Sequence, residues 1–182
     1  MPIWNTRGLR GSAFEELIDL TNRLYEQKNL AVIQKVPTPI TPTAVDNAAR
    51  RISEAYFEKK STVDFIGVSR LNGVGHGVAI CFDAKETRQP SLPLRNIHAH
   101  QIEFMQKFVT QGGVSFLLVN FAEKNEIFLL PVETLSKFHT AAARGGRKSI
   151  PYATFDPALR VKNEQGFPVH YLAVVASLIS LR

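Results

Sequence analysis

The spacing of hydrophobic residues along the chain predicts helices and strands in a mixed order. A helix is predicted from Ser12, because Ser12 and Glu15 form a capping box and the apolar positions that follow keep helical spacing to near Asn29. Further helices are predicted after the N-cap candidate Asn96 and over 132–140. Continuous apolar runs predict strands over 30–36, 63–68, 77–85, 114–120 and 126–130. This order is typical of an α/β sheet with a helix across one face.

The segment 37–60 does not fit this regular alternation. Pro37, Pro39 and Pro42 preclude a central strand and indicate an irregular, stiffened projection. Its second half, 43–60, has apolar residues at helical spacing, and periodicity alone favours a helix whose basic residues lie on a solvated face.

The strand predicted over 77–85 carries charge in an otherwise apolar run. Asp83 and Lys85 lie two residues apart, so their side chains share one face of the strand. The opposite face carries Val78, Ile80, Phe82 and Ala84 and is predicted to enter the core. Asp64 lies at the front of the preceding strand, with which 77–85 is predicted to form a hairpin around a glycine-rich turn.

Two carboxylates and a lysine in this arrangement suit metal-dependent phosphodiester hydrolysis. Mg²⁺ takes hard oxygen ligands, and Asp64 and Asp83 would supply them. The ammonium of Lys85 could hold or deprotonate the attacking water and offset charge in the transition state. The spacing is short and degenerate, however, and solvated surface groups at strand ends give the same pattern.

Several further motifs, in order along the chain, carry a resemblance to a known family. They are Ser61 to Val68, Phe82 to Thr87, His98 to Glu103 and Gly145 to Ile150, together with Glu54 to Phe57 and the early Asn5 to Gly8. The chain resembles the RecU family of bacterial Holliday junction resolvases from about Asn5 to its end. Motifs that occur together in the correct order are far more specific than any one of them.

The resemblance implies a restriction-endonuclease-like fold: a central mixed sheet flanked by helices, with a protruding stalk. It implies a homodimer that uses Mg²⁺, or Mn²⁺ in its place, to nick opposing strands of a four-way DNA junction. It puts Asp64, Asp83 and Lys85 at the catalytic centre, with Gln101 beside them. It also implies Glu16 as a supporting carboxylate from the first helix, where Glu16 lies next to the apolar stripe. It also implies that the stalk, residues 37–60, consists of extended strands that enter the junction.

The same resemblance favours DNA contact for basic and aromatic residues that composition alone does not assign to DNA. It implies phosphate contact for Arg7, Arg50 and Arg51 and aromatic surface for unstacked bases at Tyr56 and Phe57. The family usually carries Glu at the position of Asp83, which puts the metal geometry in question. The hairpin loop over 70–77 is also longer than usual, and the basic extension before the arginine–glycine motif is nearly absent, so DNA affinity is expected to be weaker.

The chain is predicted to form a single nuclease domain over 1–182, and its composition and charge are compatible with that. The chain has 182 residues, 45% hydrophobic and 21% charged, with a formal net charge of +6. The segment 140–182 is predicted to hold a basic run and a C-terminal helix. Phosphate contact by Arg144, Arg147 and Lys148 and a mobile linker are both compatible with that run.

Other chemistry is disfavoured. The single cysteine, Cys81, lies in an apolar run and is predicted to be a buried, inert thiol. His98 and His100 would point apart on a helix and could not chelate one zinc ion. With no apolar stretch long enough to span a bilayer and no signal sequence, no membrane contact is expected and the predicted compartment is the cytoplasm.

The leading hypothesis is therefore a Mg²⁺-dependent Holliday junction resolvase, with a recombinase and branch-migration proteins as possible partners. The alternatives are a non-catalytic protein that binds branched DNA and modulates the recombinase, and a related nuclease that cuts linear or flapped DNA.

Overall fold

A computed structural model describes residues 12–37, 40–46, 51–57, 62–71 and 76–180 of the chain. Within these ranges the helices are α1 (Ser12–Gln27), α2 (Ala99–Thr110), α3 (Val132–Ala143) and α4 (Tyr171–Ser180). The strands are β1 (Ala31–Lys35), β2 (Ile40–Asp46), β3 (Arg51–Phe57), β4 (Phe65–Ser69), β5 (Val78–Thr87), β6 (Ser91–Pro93), β7 (Val114–Phe121), β8 (Glu126–Pro131), β9 (Ser149–Pro151) and β10 (Arg160–Val161).

Six of these strands form the central sheet, in the order β1-β4-β5-β7-β8-β10. Strands β5 and β7 pair in parallel, and the other neighbours pair antiparallel. The parallel pair is joined by a crossover that contains α2, as parallel strands require. The predicted α/β class, with a central mixed sheet flanked by helices, is confirmed, and so is the hairpin of β4 and β5.

Helices cover both faces of this sheet, so the predicted helix across one face is joined by helices on the other. One face packs against α1 and α4, with Phe82 stacked between Phe65 and Phe116 at ring distances of 4.8 and 5.0 Å. The other face, which includes Cys81 and Leu117, packs against α2 and α3. Because β5 and β7 are buried on both sides over most of their length, their sequences are nearly continuous apolar runs, interrupted in β5 by Asp83 and Lys85.

The segment between β1 and β4 forms a separate two-stranded antiparallel sheet of β2 and β3, with a bulge after Pro42. Periodicity alone predicted a helix over 43–60, and this was wrong for the described parts of that range. A strand pair tolerates Pro42 at an irregular position, whereas a helix interior would lose a hydrogen bond there. Whether the pair projects as a stalk stays a prediction.

The C-terminal helix α4 is tied to α1 by buried hydrogen bonds. Tyr171 donates to Asn22 at 2.5 Å, and the amide of Val169 donates to Thr21 at 3.2 Å. Tyr25 lies 2.9 Å from Nδ1 of His170 and accepts from the amide of Leu172 at 3.3 Å. The predicted apolar C-terminal helix therefore packs on the body of the protein. None of the described helices is both long enough and apolar enough to cross a lipid bilayer.

Candidate active site

Strands β4 and β5 and helix α2 bring the predicted catalytic residues together at one end of the sheet. Asp83 and Lys85 lie on the face of β5 that packs toward α2, while Ile80, Phe82 and Ala84 enter the core on the other face, as the alternation predicted. Gln101 is in the first turn of α2, and Asp64 immediately precedes β4.

Asp83 is fully buried and is held by two side chains. Its Oδ1 accepts a hydrogen bond from Nε2 of Gln101 at 2.9 Å. Its Oδ2 lies 2.5 Å from Nζ of Lys85, whose side chain is 19% exposed. Apart from this ionic contact, no well-aligned donor reaches Oδ2 from the residues that the structure describes. Asp83 therefore has one oxygen fixed by hydrogen bonding and one that could still bind a cation.

The electrostatic environment of Asp83 favours the proton-bound form. Burial raises the pKa of Asp83 to about 7, the Lys85 ammonium lowers it, and the neighbouring Asp64 carboxylate raises it again. Because these two carboxylates disfavour each other's ionisation, an added positive charge would stabilise the site. That charge can be supplied by a proton or by a metal ion.

Asp64 is anchored to the same strand by its side chain. Its Oδ2 accepts a hydrogen bond from the backbone amide of Ala84 at 2.9 Å. The ladder between β4 and β5 ends at the pair Phe65 and Phe82, so the Asp64 side chain adds one bond beyond the last paired residues. Asp64 is half-buried, whereas Asp83 is closed off from solvent. Asp64 is therefore the carboxylate through which a ligand from solvent would first reach the pair.

The donor set of this site fits a hard divalent cation better than zinc. Two Asp carboxylates converge, and among the described residues Oδ2 of Asp83 has the ion pair with Lys85 but no well-aligned hydrogen-bond donor. In the described parts of the chain, no group of three or more His, Cys, Asp or Glu residues could hold a metal by itself. Mg²⁺ is commonly bound by one or two carboxylates, with water and substrate oxygens completing its shell. Asp64 and Asp83 fit that pattern.

On α1, Glu15 lies toward this site. Glu16, which was predicted to be the supporting carboxylate, does not. Glu16 is exposed and lines an open groove beside Asp19 and Arg23. Glu15 instead accepts a hydrogen bond from Lys35 at 2.6 Å, and Lys35 is close enough to Asp64 for their charges to interact. In the sheet, Lys35 pairs with Phe65, the residue after Asp64. This strand pairing is the signal that could have placed Lys35, and with it Glu15, near the site.

Gln101 is positioned by the start of α2, which lies two residues later than the sequence pattern predicts. The predicted N-cap Asn96 ends a short 3₁₀ turn, and α2 is capped by His98. Oε1 of Gln101 accepts from the amide of His98 at 3.1 Å, while its Nε2 donates to Asp83. One amide side chain thus caps the helix and orients the buried carboxylate.

His98 precedes the helix in an extended conformation, and its ring stacks on that of His100 at 5.4 Å. The prediction that these two rings point apart was therefore wrong. Cys81 is buried, and burial raises the pKa of its thiol to about 11, in agreement with an inert side chain.

The predicted DNA contacts are described only in part. Arg7 and Arg50 lie outside the described residues. Arg51, Tyr56 and Phe57 are in the backbone of β3, and their side chains are not described.

The basic turn, residues 144–148, is described in full. Arg144, Arg147 and Lys148 are exposed, and Nε of Arg147 donates to Ser149 at 3.2 Å. The turn follows α3 through Gly145 at φ 90° and is anchored, since the amide of Leu94 donates to the carbonyl of Lys148 at 3.1 Å. Leu94 begins the 3₁₀ turn that leads into α2, so the basic turn is tied to the element that carries Gln101.

Comparison with known proteins gives this site a family context. The family model of RecU, recombination protein U, matches residues 9–177. The Holliday junction resolvase RecU of Levilactobacillus brevis is 43% identical over 178 residues, which is 95% of this chain and 86% of that protein. The protein of the same name from Lactococcus lactis is 40% identical over 180 residues, covering 96% of this chain and 81% of that protein.

A solved structure of Archaeoglobus fulgidus Hjc, a Holliday junction resolvase, aligns with a TM-score of 0.39 and 17% identity over 68% of this chain and 74% of that one. The family assignment does not depend on that weak likeness. With a family model that spans nearly the whole chain and relatives above 40% identity, this protein belongs to the RecU family, recombination protein U.

Proposed function

We propose that this protein is a Mg²⁺-dependent endonuclease that resolves Holliday junctions by paired, symmetric nicks during recombination and repair. Its relatives carry the name Holliday junction resolvase. The observation that carries the catalytic part of the proposal is the buried Asp83, held between Gln101 and Lys85 and next to Asp64. A purely structural role would not require two mutually repelling carboxylates at the end of the sheet.

The site residues have separate roles in this proposal. Asp64 and Asp83 would hold Mg²⁺, or Mn²⁺ in its place; when bound, the metal would polarise the scissile phosphate and stabilise the charge that develops on it. Lys85, as an ammonium, would hold the attacking water and offset the negative charge that develops in the transition state. Gln101 keeps Asp83 in one orientation, which is the usual role of a residue behind a metal ligand.

The proposed substrate is a four-way junction, recognised by shape and phosphate positions more than by base sequence. The exposed basic turn supports this, because its anchoring to the segment before α2 lets it hold a phosphate at a fixed distance from the site. Two symmetric cuts need two active sites related by a twofold axis, so the proposal includes a homodimer. The proposal includes a cytoplasmic location, where such a DNA substrate would be met.

A second candidate function is non-catalytic binding of branched DNA that modulates a recombinase. One observation favours it: Asp83 is fully buried and carries a raised pKa, so without metal it is partly protonated near neutral pH. The two functions differ in whether metal binding is followed by cleavage.

The test compares cleavage and binding of a synthetic four-way junction and its matched linear duplex with Mg²⁺. Wild type is compared with Asp64→Ala and with Asp64→Asn, which keeps an acceptor for the Ala84 amide. We expect paired nicks in the junction alone, loss of cleavage in both variants, and junction affinity within about threefold of wild type. Tight junction binding by the wild type without nicking in Mg²⁺ or Mn²⁺ would favour the second function.

A further inference from the structure

The apolar surface of α1 is wider than its contact with the sheet requires. Phe14, Ile18 and Tyr25 are buried in the core on one side of the helix. Leu17 and Leu20 are 44% and 41% exposed. At about 100° per residue, the apolar positions span about 160° of the helix circumference, whereas a one-sided surface helix needs about 100°. One flank of α1 therefore remains without a protein surface against it in the described part of the chain.

This flank, which we call the α1 flank, consists of Ala13, Leu17, Leu20 and Leu24. The intervals between them are four, three and four residues, which is the spacing of the a and d positions in helices that pack on one another. Ala13 is exposed like the two central leucines, and Leu24 is half-buried at the edge of the core. The pattern is that of a helix prepared to pack against a second helix.

We propose that the α1 flank meets the same flank of a second copy of this chain in an antiparallel helix pair. In that register Leu17 of one copy packs on Leu20 of the other, and the small Ala13 lies opposite the larger Leu24. Each contact occurs twice, as a twofold interface requires. This inference rests on the proposed homodimeric function and names the surface through which the two copies meet.

The charges that border the α1 flank select a second copy in this orientation. Glu16 and Arg23 are both exposed and lie seven residues apart, at the g position of successive heptads. In an antiparallel pair g positions face g positions, so Glu16 of one copy lies opposite Arg23 of the other, twice. Neither makes an ion pair within the described ranges, which leaves both available to a partner.

A parallel pair would not use these charges. There the g positions face e positions, and the e positions of α1 are Phe14 and Thr21, both buried in the chain's own core. The remaining acids on this side of the helix, Asp19 and Glu26, occupy c positions and point further from the partner. Glu16 and Arg23 are thus complementary only when α1 meets an antiparallel copy of itself.

The helix pair is one part of the interface. A standard interface buries about 800 Å² on each partner, which is more than four side chains supply, so neighbouring surfaces must contribute as well. The experiment therefore measures a change in dimer affinity and does not require that the dimer be abolished.

The test is sedimentation velocity of the full chain, over a range of protein concentrations, with charge-swap variants. We expect a wild-type dimer and a dimer Kd raised about tenfold by Glu16→Arg or Arg23→Glu, since each places like charges together twice. Combining the two substitutions reverses both pairs and should return the Kd to within about threefold of wild type. Leu20→Glu should raise it about 100-fold or more, because it puts two carboxylates into the apolar contact.

The matched control is the double swap Glu103→Arg and Lys107→Glu on the exposed side of α2, which should leave the Kd unchanged. Thermal unfolding monitored by circular dichroism shows whether each variant is folded. A monomeric wild type, single swaps without effect, or a combined swap no better than the worse single one would each overturn the proposal.

Junction cleavage by the same proteins separates this inference from the proposed function. Cleavage by a dimer that ignores the α1 swaps would reject the α1 interface and retain the nuclease. A dimer that responds to the swaps as expected, but neither binds nor cuts junctions, would retain the interface and reject the nuclease.

Discussion

Two carboxylate–lysine pairs of nearly equal length lie near Asp64. Asp83 and Lys85 are 2.5 Å apart, and Glu15 and Lys35 are 2.6 Å apart. The side chains of the first pair are 0% and 19% exposed, while those of the second are 28% and 47% exposed. An exposed pair of this kind contributes about 0–1 kcal/mol to stability, whereas a buried one changes the chemistry of its carboxylate. Burial, and not contact distance, therefore distinguishes the pair suited to catalysis.

The largest expected effect comes from removing the buried lysine. Lys85→Met should lower the single-turnover rate of junction cleavage by about 10³-fold, because the ammonium that holds the water and offsets charge is lost. Junction binding, measured by titration in Ca²⁺, should change by less than about threefold. Lys35→Met is the control for the exposed pair and should cost less than tenfold, roughly the loss of one surface ion pair. Equal losses of cleavage rate in Lys85→Met and Lys35→Met would mean that both ion pairs belong to the catalytic centre.

The buried pair should also make the stability of the metal-free protein depend on pH. The pKa of Asp83 is about 7 in the folded protein and 3.8 ordinarily, so the native state binds this proton more tightly than the unfolded state. The free energy of unfolding is then highest at acidic pH and falls as pH rises toward 7, by at most about 1.4 kcal/mol per pH unit. Urea unfolding in EDTA between pH 4.5 and 8 should show this slope, and Asp83→Asn should remove it.

The difference between wild type and Asp83→Asn isolates this carboxyl group from His170. Burial lowers the pKa of His170, which makes stability rise with pH and therefore acts in the opposite direction. If wild type and Asp83→Asn had parallel pH profiles, the pKa of Asp83 would be the same in the folded and unfolded protein.

The next effect concerns the side chain that orients Asp83. Gln101→Glu removes the donor to Asp83 but keeps the acceptor that caps α2, whereas Gln101→Ala removes both. Cleavage should fall about 10–100-fold in both variants, as is typical when a residue behind a metal ligand is lost. Gln101→Ala should also lose about 1 kcal/mol of stability through the missing cap, whereas Gln101→Glu keeps the cap but brings a further carboxylate against Asp83. Mg²⁺ titration of the cleavage rate would separate weaker metal binding from a slower chemical step.

The smallest effect is expected at the exposed pair. Glu15→Gln should change the free energy of unfolding by less than about 1 kcal/mol, since Lys35 remains solvated without its partner. The change should shrink in 1 M salt, where exposed charges are screened. A loss of several kcal/mol that persists in salt would mean that this pair is as well shielded as the buried one.

The sequence predicted the centre of the site better than its surroundings. The two-residue period of β5 was enough to place Asp83 and Lys85 on one face and Phe82 on the other. Asp64 could be placed near them because an antiparallel hairpin brings the front of one strand to the end of the next. Both inferences use local geometry that the chain cannot easily override.

The surroundings depended on contacts between distant segments, which no local pattern encodes. Glu15 and Glu16 are adjacent on α1, and which one faces Lys35 is set by how the helix lies on β1. The start of α2 was placed wrongly because His98 is an unusual cap whose partner is the site residue Gln101. The helical spacing over 43–60 was misleading because pairing of β2 with β3 outweighed the weak propensity of that segment.

The hydrogen bond from the Ala84 amide to Asp64 makes this backbone position a natural spectroscopic reporter. The proton lies between the core strand and the carboxylate that a ligand from solvent reaches first. Any cation that draws the Asp64 oxygens toward itself must weaken or reorient that one bond while β5 stays fixed by its aromatic backing. The chemical shift and exchange rate of a single amide would then record occupancy of the site without any DNA present.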